Sequence, residues 1–109
     1  MQMTDELRFK LLQLLEKKPN LSQRKIASEL SISLGKVNYC LNVLLEEGLL
    51  EAQKVIDSKN KASYLYKITP IGVQAKLNVG EVFLNQKVNE AETIKIEITE
   101  LRAQLAMKE

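Results

Sequence analysis

A mainly α-helical fold with one small β-hairpin and a long C-terminal helix is predicted by three features of the 109-residue chain. Apolar residues recur at three- and four-residue spacing over most of its length, the period of a helix with one buried side. Residues with strand preference concentrate in a single stretch, 49–68, split by a polar turn. Beyond Pro70 there is no further proline, and the apolar residues follow a helical stripe.

The first helix opens at Thr4-Asp5-Glu6, a capping residue followed by two acids favoured at a helix's positive end. Leu7, Leu11, Leu14 and Leu15 follow at helical spacing, and Pro19-Asn20 ends the element. Residues 21–50 then read as two short helices joined by the turn Ser31-Ile32-Ser33. Ser22 is placed to cap the first of these and Ser33 the second. Ile26, Ala27 and Leu30 give the first an apolar side, and Gly48 terminates the second in a left-handed conformation. This is the layout of a helix-turn-helix, whose second helix commonly enters the DNA major groove.

Projected around its axis, that second helix has two unlike faces. Leu34, Val37, Cys40, Leu41, Leu44 and Leu45 are expected to pack inward. Gly35, Asn38, Tyr39, Asn42 and Glu46 fall on the other side, flanked by Lys36 and Val43. An ordinary solvated face favours Glu, Lys, Arg and Gln, which are better helix formers. Asparagine can instead make paired hydrogen bonds to adenine edges, and a glycine lets the helix approach a sugar-phosphate backbone closely. The acidic pair Glu46-Glu47 lies at the far end, pointing away from a duplex docked at the helix start.

Strands are expected over 49–56 and 63–68, joined by Asp57-Ser58-Lys59-Asn60-Lys61. In the second, Tyr64, Tyr66 and Ile68 alternate against Leu65 and Lys67. A hairpin directly after a recognition-type helix forms a wing, and Lys59 and Lys61 at its tip are placed to meet phosphates or the minor groove. Thr69-Pro70 combines an N-cap with proline at the first helical position. In the helix that follows, Val73, Leu77 and Leu84 are spaced at four and seven, and Ile94, Ile98, Leu101 and Leu105 at four, three and four, as in a coiled-coil seam. One heptad frame covers both stretches but puts Gly80 and Lys87 on the seam, so a bend or break is expected near Lys87-Val88-Asn89. Ile96 is expected to widen the apolar side, with Lys95, Glu97, Glu100 and Arg102 on a solvated flank. Such a stripe must be buried, either by folding back onto its own domain or by pairing with the same helix of a second chain. The second is the expectation, because the winged domain offers little spare surface. The division is then a DNA-binding unit at 1–69 and a helical dimerisation arm at 70–109.

Composition narrows the function classes. Apolar residues make up 45% of the chain, enough for a packed core. There is no histidine and one cysteine, so neither a common zinc site nor a Ser-His pair can be built, and an enzyme is not expected. No cofactor is expected. Cys40, on an apolar helix face, reads as a buried thiol of a reducing compartment. No apolar run suggests a signal segment or a membrane span, so a cytoplasmic protein without a membrane partner is expected. Residues 1–69 carry 11 Lys and Arg against 8 Asp and Glu, whereas 70–109 carry 5 against 6, so the small positive excess lies with the helix-turn-helix.

Helix, helix-turn-helix, wing and long C-terminal helix, in that order, resemble the MarR-type winged-helix transcriptional regulators. The segment SxGKVNYxLxxLxxxGLL, the YKITPIG junction and the helical tail are most similar to the small regulators associated with exopolysaccharide gene clusters in bacteria. The resemblance implies sequence-specific binding to double-stranded DNA, control of transcription and contact roles for Ser33, Gly35, Lys36, Asn38, Tyr39 and Asn42. In the wing, Asp57, Lys59 and Lys61 stand where the broader family has Asp-x-Arg-x-x-Arg. Lysine replaces the first arginine and the second basic residue comes one position early, which favours phosphate contact over deep minor-groove insertion. The chain is shorter than most such regulators, so the tail is expected to dimerise largely alone, without a small-molecule crevice.

The leading reading is therefore a homodimeric transcriptional regulator bound to a palindromic operator. Ser22, Gln23 and Arg24 would hold a phosphate at a helix start. The alternative is a winged protein-interaction module whose C-terminal helix docks a partner without DNA.

Overall fold

The structure is a computed structural model that describes residues 2–107; Met1, Lys108 and Glu109, the extreme ends of the two expected units, lie outside the described residues. Six elements follow in order: α1 (Asp5–Lys17), α2 (Gln23–Leu30), α3 (Leu34–Glu46), β1 (Leu50–Ile56), β2 (Ala62–Ile68) and α4 (Pro70–Ala106). This is a winged helix-turn-helix followed by one long helix, the mainly α class with a single hairpin expected above.

Each expected cap is in place. Thr4, Ser22, Ser33 and Thr69 sit in extended conformation, and their hydroxyls accept from Leu7, Lys25, Lys36 and Gly72 backbone N–H groups. Each satisfies a donor that the first helical turn leaves without a partner. Gly48 ends α3 at φ +75°, the left-handed value that glycine adopts without a Cβ clash. The core gathers Leu11, Leu12 and Leu15 of α1, Ile26 of α2, and Val37, Cys40, Leu41 and Leu44 of α3, all fully buried. Leu49, Leu50 and Tyr66 close it from the wing side.

β1 and β2 pair antiparallel, with Leu50 opposite Ile68 and Ile56 opposite Ala62. The backbone before α2 adds a short third rung. Asn20 N–H donates to Tyr66 O at 3.0 Å and Tyr66 N–H to Leu21 O at 3.1 Å. A single bridge leaves no period in the sequence, and the sequence reading missed it.

Two expectations are corrected. α4 runs unbroken from Pro70 to Ala106, with no interruption at Lys87-Val88-Asn89. Lys87 does not need to enter a seam there, because its ammonium lies 5.4 Å from the Phe83 ring centre and 3.2 Å from a Glu90 carboxylate oxygen. α4 also packs on its own domain. Its first half packs on α1: Lys76 Nζ reaches Glu16 Oε1 at 2.6 Å and Gln13 Oε1 at 3.0 Å. Phe83 stacks at a tilt on Phe9 with 5.7 Å between centroids. These contacts cross the boundary expected at residue 70. Finally, Ile96 does not widen the later seam; two residues from both Ile94 and Ile98, it points across the helix from them and is 58% exposed.

Candidate nucleic-acid interface

The two faces of α3 separate as expected over most of the helix. Val37, Cys40, Leu41 and Leu44 are sealed in the core, while Gly35, Asn38, Asn42 and Glu46 are exposed. The burial of Cys40 pushes its thiol pKa up, against smaller opposing effects of Lys36 and Arg8. The thiol is therefore held neutral and inert. The Asn42 side-chain amide donates to Asn38 Oδ1 at 3.3 Å, so the two asparagines, one turn apart, share an open polar ledge. A Cβ at Gly35 would meet nothing within 4 Å. Packing within the chain does not require glycine at this position, whereas close approach of an outside backbone would.

Two positions on α3 differ from expectation. Tyr39 is half-buried and packs against the core rather than standing on the open face. Its large apolar ring is more stable against neighbouring leucines than in water. Leu34, expected inside, is 43% exposed. It occupies the first helical position, where the chain has only just left the turn and the core side of the helix is not yet covered.

The exposure of Leu34 belongs to a groove. An open depression of about 260 Å³ is lined by Ser22, Gln23 and Arg24 at the start of α2, by Leu34 at the start of α3, and by Ser63, Tyr64 and Tyr66 on β2. Gln23 Nε2 donates to the Tyr66 hydroxyl at 3.0 Å and so ties the helix-turn-helix to the wing across this depression. The structure brings Ser22, Gln23 and Arg24 together with Leu34 at the beginning of α3. It adds Leu34, Ser63 and Tyr64, which sequence reasoning did not single out. Strand alternation puts Tyr64 on the same face as Tyr66 and so offered a signal; nothing in the sequence offered one for Ser63.

The wing tip is organised by Asp57. Its Oδ1 accepts from Lys59 N–H at 2.8 Å and from Lys61 N–H at 2.9 Å. Asn60 takes the left-handed conformation at φ 60°, one that asparagine tolerates, and its N–H donates to Asp57 O. Asp57 thus folds the turn, and the exposed side chains of Lys59 and Lys61 leave it on either side of Asn60. Lys36 is less free than expected, since its ammonium donates to Gln2 O at 2.9 Å.

Ion pairing divides the cations into two groups. Among the described residues, Arg8, Lys10, Lys18, Lys76 and Lys87 are paired with carboxylates. Arg8 makes a two-point contact with Glu47, at 2.7 and 3.2 Å, which neutralises the acid at the negative end of α3. Arg24, Lys25, Lys59 and Lys61 are exposed and make none of these pairs. Lys17, Lys36, Lys54, Lys67, Lys95 and Arg102 likewise make none of these pairs, so the start of α2 and the wing tip carry unpaired cations but do not hold all of them.

Residues 4–51 match the family model described as winged helix-turn-helix DNA-binding. No curated protein sequence matches the chain. Among solved structures, the transcriptional regulator BldR from Sulfolobus solfataricus is similar at 28% identity and a TM-score of 0.61, over 78% of this chain and 58% of that one. PadR from Bacillus subtilis, in complex with operator DNA, aligns at 22% identity and a TM-score of 0.60, over 66% of this chain and 45% of that one. A MarR-family transcriptional regulator from Silicibacter pomeroyi aligns at 16% identity and a TM-score of 0.58, over 72% and 51%. The chain thus spans roughly half the length of these three proteins. The last two likenesses concern the fold alone. Among the described residues, no helix is long and apolar enough to cross a membrane.

Proposed function

We propose that this protein is a sequence-specific regulator of transcription that binds double-stranded DNA as a homodimer. In this reading residues 1–69 read DNA and residues 70–109 join two copies. The observation that carries it is the open ledge of Gly35, Asn38 and Asn42 on α3, flanked by cations without carboxylate partners on α2 and the wing. An uncharged, hydrogen-bonding helix face suits base edges, and unpaired lysine and arginine suit phosphates. PadR with operator DNA supports the reading, as a protein of the same fold seen on its operator.

The parts take different roles. Asn38 and Asn42 read bases in the major groove, and Gly35 lets the start of α3 come close to the sugar-phosphate chain. Ser33, Lys36 and Tyr39 support that docking from the edges of the helix. Ser22, Gln23 and Arg24 hold a phosphate at the start of α2, and Lys59 and Lys61 meet the backbone from the wing. The dimer is built on the stripe through Val73, Leu77, Leu84, Ile94, Ile98, Leu101 and Leu105, and a two-fold dimer matches a palindromic operator. The sequence resemblance extends the proposal to exopolysaccharide genes of a bacterium, with the protein acting in the cytoplasm, without a cofactor and without catalysis.

Fluorescence anisotropy of the full chain on its own upstream DNA and on a shuffled fragment of equal length tests this. Tighter binding to the upstream fragment is expected. Absence of binding at low salt by a confirmed dimer would favour the protein-interaction module instead.

A further inference from the structure

The exposed half of α4 carries a charge code as well as an apolar stripe. Beyond Phe83, the last aromatic packed on α1, Ile94, Ile98, Leu101 and Leu105 are between 42% and 64% exposed along one side of an uninterrupted helix. In the heptad frame that they define, Ile94 and Leu101 take d while Ile98 and Leu105 take a. The positions flanking this seam then sort by sign. Glu90 and Glu97 fall on g, and Lys95 and Arg102 fall on e. Flanking charges of this kind set helix orientation in coiled coils.

We infer that α4 pairs with α4 of a second copy in parallel and in register, and this rests on the homodimer proposed above. In a parallel pair each g residue faces the e residue of the following heptad on the other helix. Glu97 then meets the partner subunit's Arg102, and Glu90 meets the partner subunit's Lys95. Symmetry repeats both pairs. An antiparallel pair sets g beside g and e beside e. Glutamates then gather on one flank and cations on the other, a repulsive arrangement. Lys87 falls on d, and its ammonium is already drawn aside to Phe83 and Glu90 within its own chain, which leaves the seam beside it clear. The parallel arrangement also decides where the reading heads lie. Because α4 starts directly after β2, both winged units sit at the same end of the arm. An antiparallel arm would hold them apart on the scale of its own length, about 55 Å for a helix of 37 residues.

Cross-linking of full-length Ile94→Cys and Leu101→Cys, made separately, tests the orientation. Both positions are exposed, so folding is not at risk, and the buried native Cys40 makes the unmodified chain a blank. Disulfide-linked dimers from both variants are expected, because d meets d in a parallel pair. An antiparallel pair brings at most one of these positions onto its own copy, since they lie about 10 Å apart along the axis. A dimer by light scattering in which one or neither variant cross-links overturns the parallel orientation and leaves the dimer standing. A monomer at micromolar concentration overturns both. As a second reading, Glu97→Arg should weaken dimerisation about five-fold, and adding Arg102→Glu should restore it. Unchanged or tighter dimerisation by Glu97→Arg alone would also count against the parallel pair.

Discussion

Lys76 Nζ lies 2.6 Å from Glu16 Oε1, and this ion pair joins the long helix to the first one. The two partners are unequally placed: the lysine side chain is 10% exposed and the glutamate 35%. Removing the glutamate leaves a nearly buried cation with only Gln13 for a partner, whereas removing the lysine charge leaves a carboxylate that water can reach. Glu16→Ala should therefore cost about 2 kcal/mol and Lys76→Met less than about 1 kcal/mol. Urea unfolding of both variants measures the asymmetry. Equal losses would mean that the pair acts as a solvent-screened contact.

Gly72 sets the angle at which α4 leaves the wing. A Cβ there would run into the Leu49 carbonyl oxygen and lie 2.6 Å from Ile68 Cγ1. Neither group can yield cheaply, since Leu49 O also accepts from Thr69 N–H and Ile68 sits in the β-ladder. Gly72→Ala should lower stability by about 2 kcal/mol or more, despite alanine's better helix propensity. Thermal melting of the variant is the check, and a stabilised protein would show that the junction has slack.

The candidate DNA contacts separate by type. Asn38→Ala should weaken binding to the cognate site by about ten-fold or more while leaving binding to shuffled DNA nearly unchanged. Lys59→Ala and Lys61→Ala should weaken both alike and reduce the salt slope by about one each. Anisotropy titrations at several salt concentrations distinguish the two behaviours. An equal loss on all sequences for Asn38→Ala would remove its role as a base reader.

Asp57 separates folding of the wing from its charge. Asp57→Ala removes an anion, which alone would favour DNA, but it also frees the backbone N–H groups of Lys59 and Lys61. The tip is exposed, so stability should fall by less than about 1 kcal/mol. DNA affinity should nevertheless drop, because the lysines lose their fixed positions. Higher affinity in this variant would show that charge outweighs geometry at the tip.

The arm has a direct test of its own. Truncation after Gln86 keeps the part of α4 that packs on α1 through Lys76 and Phe83 and removes Ile94, Ile98, Leu101 and Leu105. The truncated chain should remain folded and become monomeric by light scattering. A persistent dimer would move the interface to Val73, Leu77 and Leu84.

Sequence alone determined the elements of this protein and most of its buried side chains. Caps at Thr4, Ser22, Ser33 and Thr69, the left-handed Gly48, and the inward positions Val37, Cys40, Leu41 and Leu44 follow from local chemistry and helical period, which act over a few residues. Only the tertiary structure decided what depends on distant partners. It turned Tyr39 toward the core and left Leu34 open to the groove, because burial at the rim of a helix depends on which neighbour arrives there. It paired Arg8 with Glu47 and Gln23 with Tyr66, contacts between residues 39 and 43 positions apart that no periodicity announces. It also set α4 on α1 through Lys76 and through Gly80, the second of which the heptad frame alone marked as a defect. A glycine that looks misplaced in a two-helix seam is suited to a helix that first packs on its own domain, Gly80 against the Phe9 ring, and only later emerges from it.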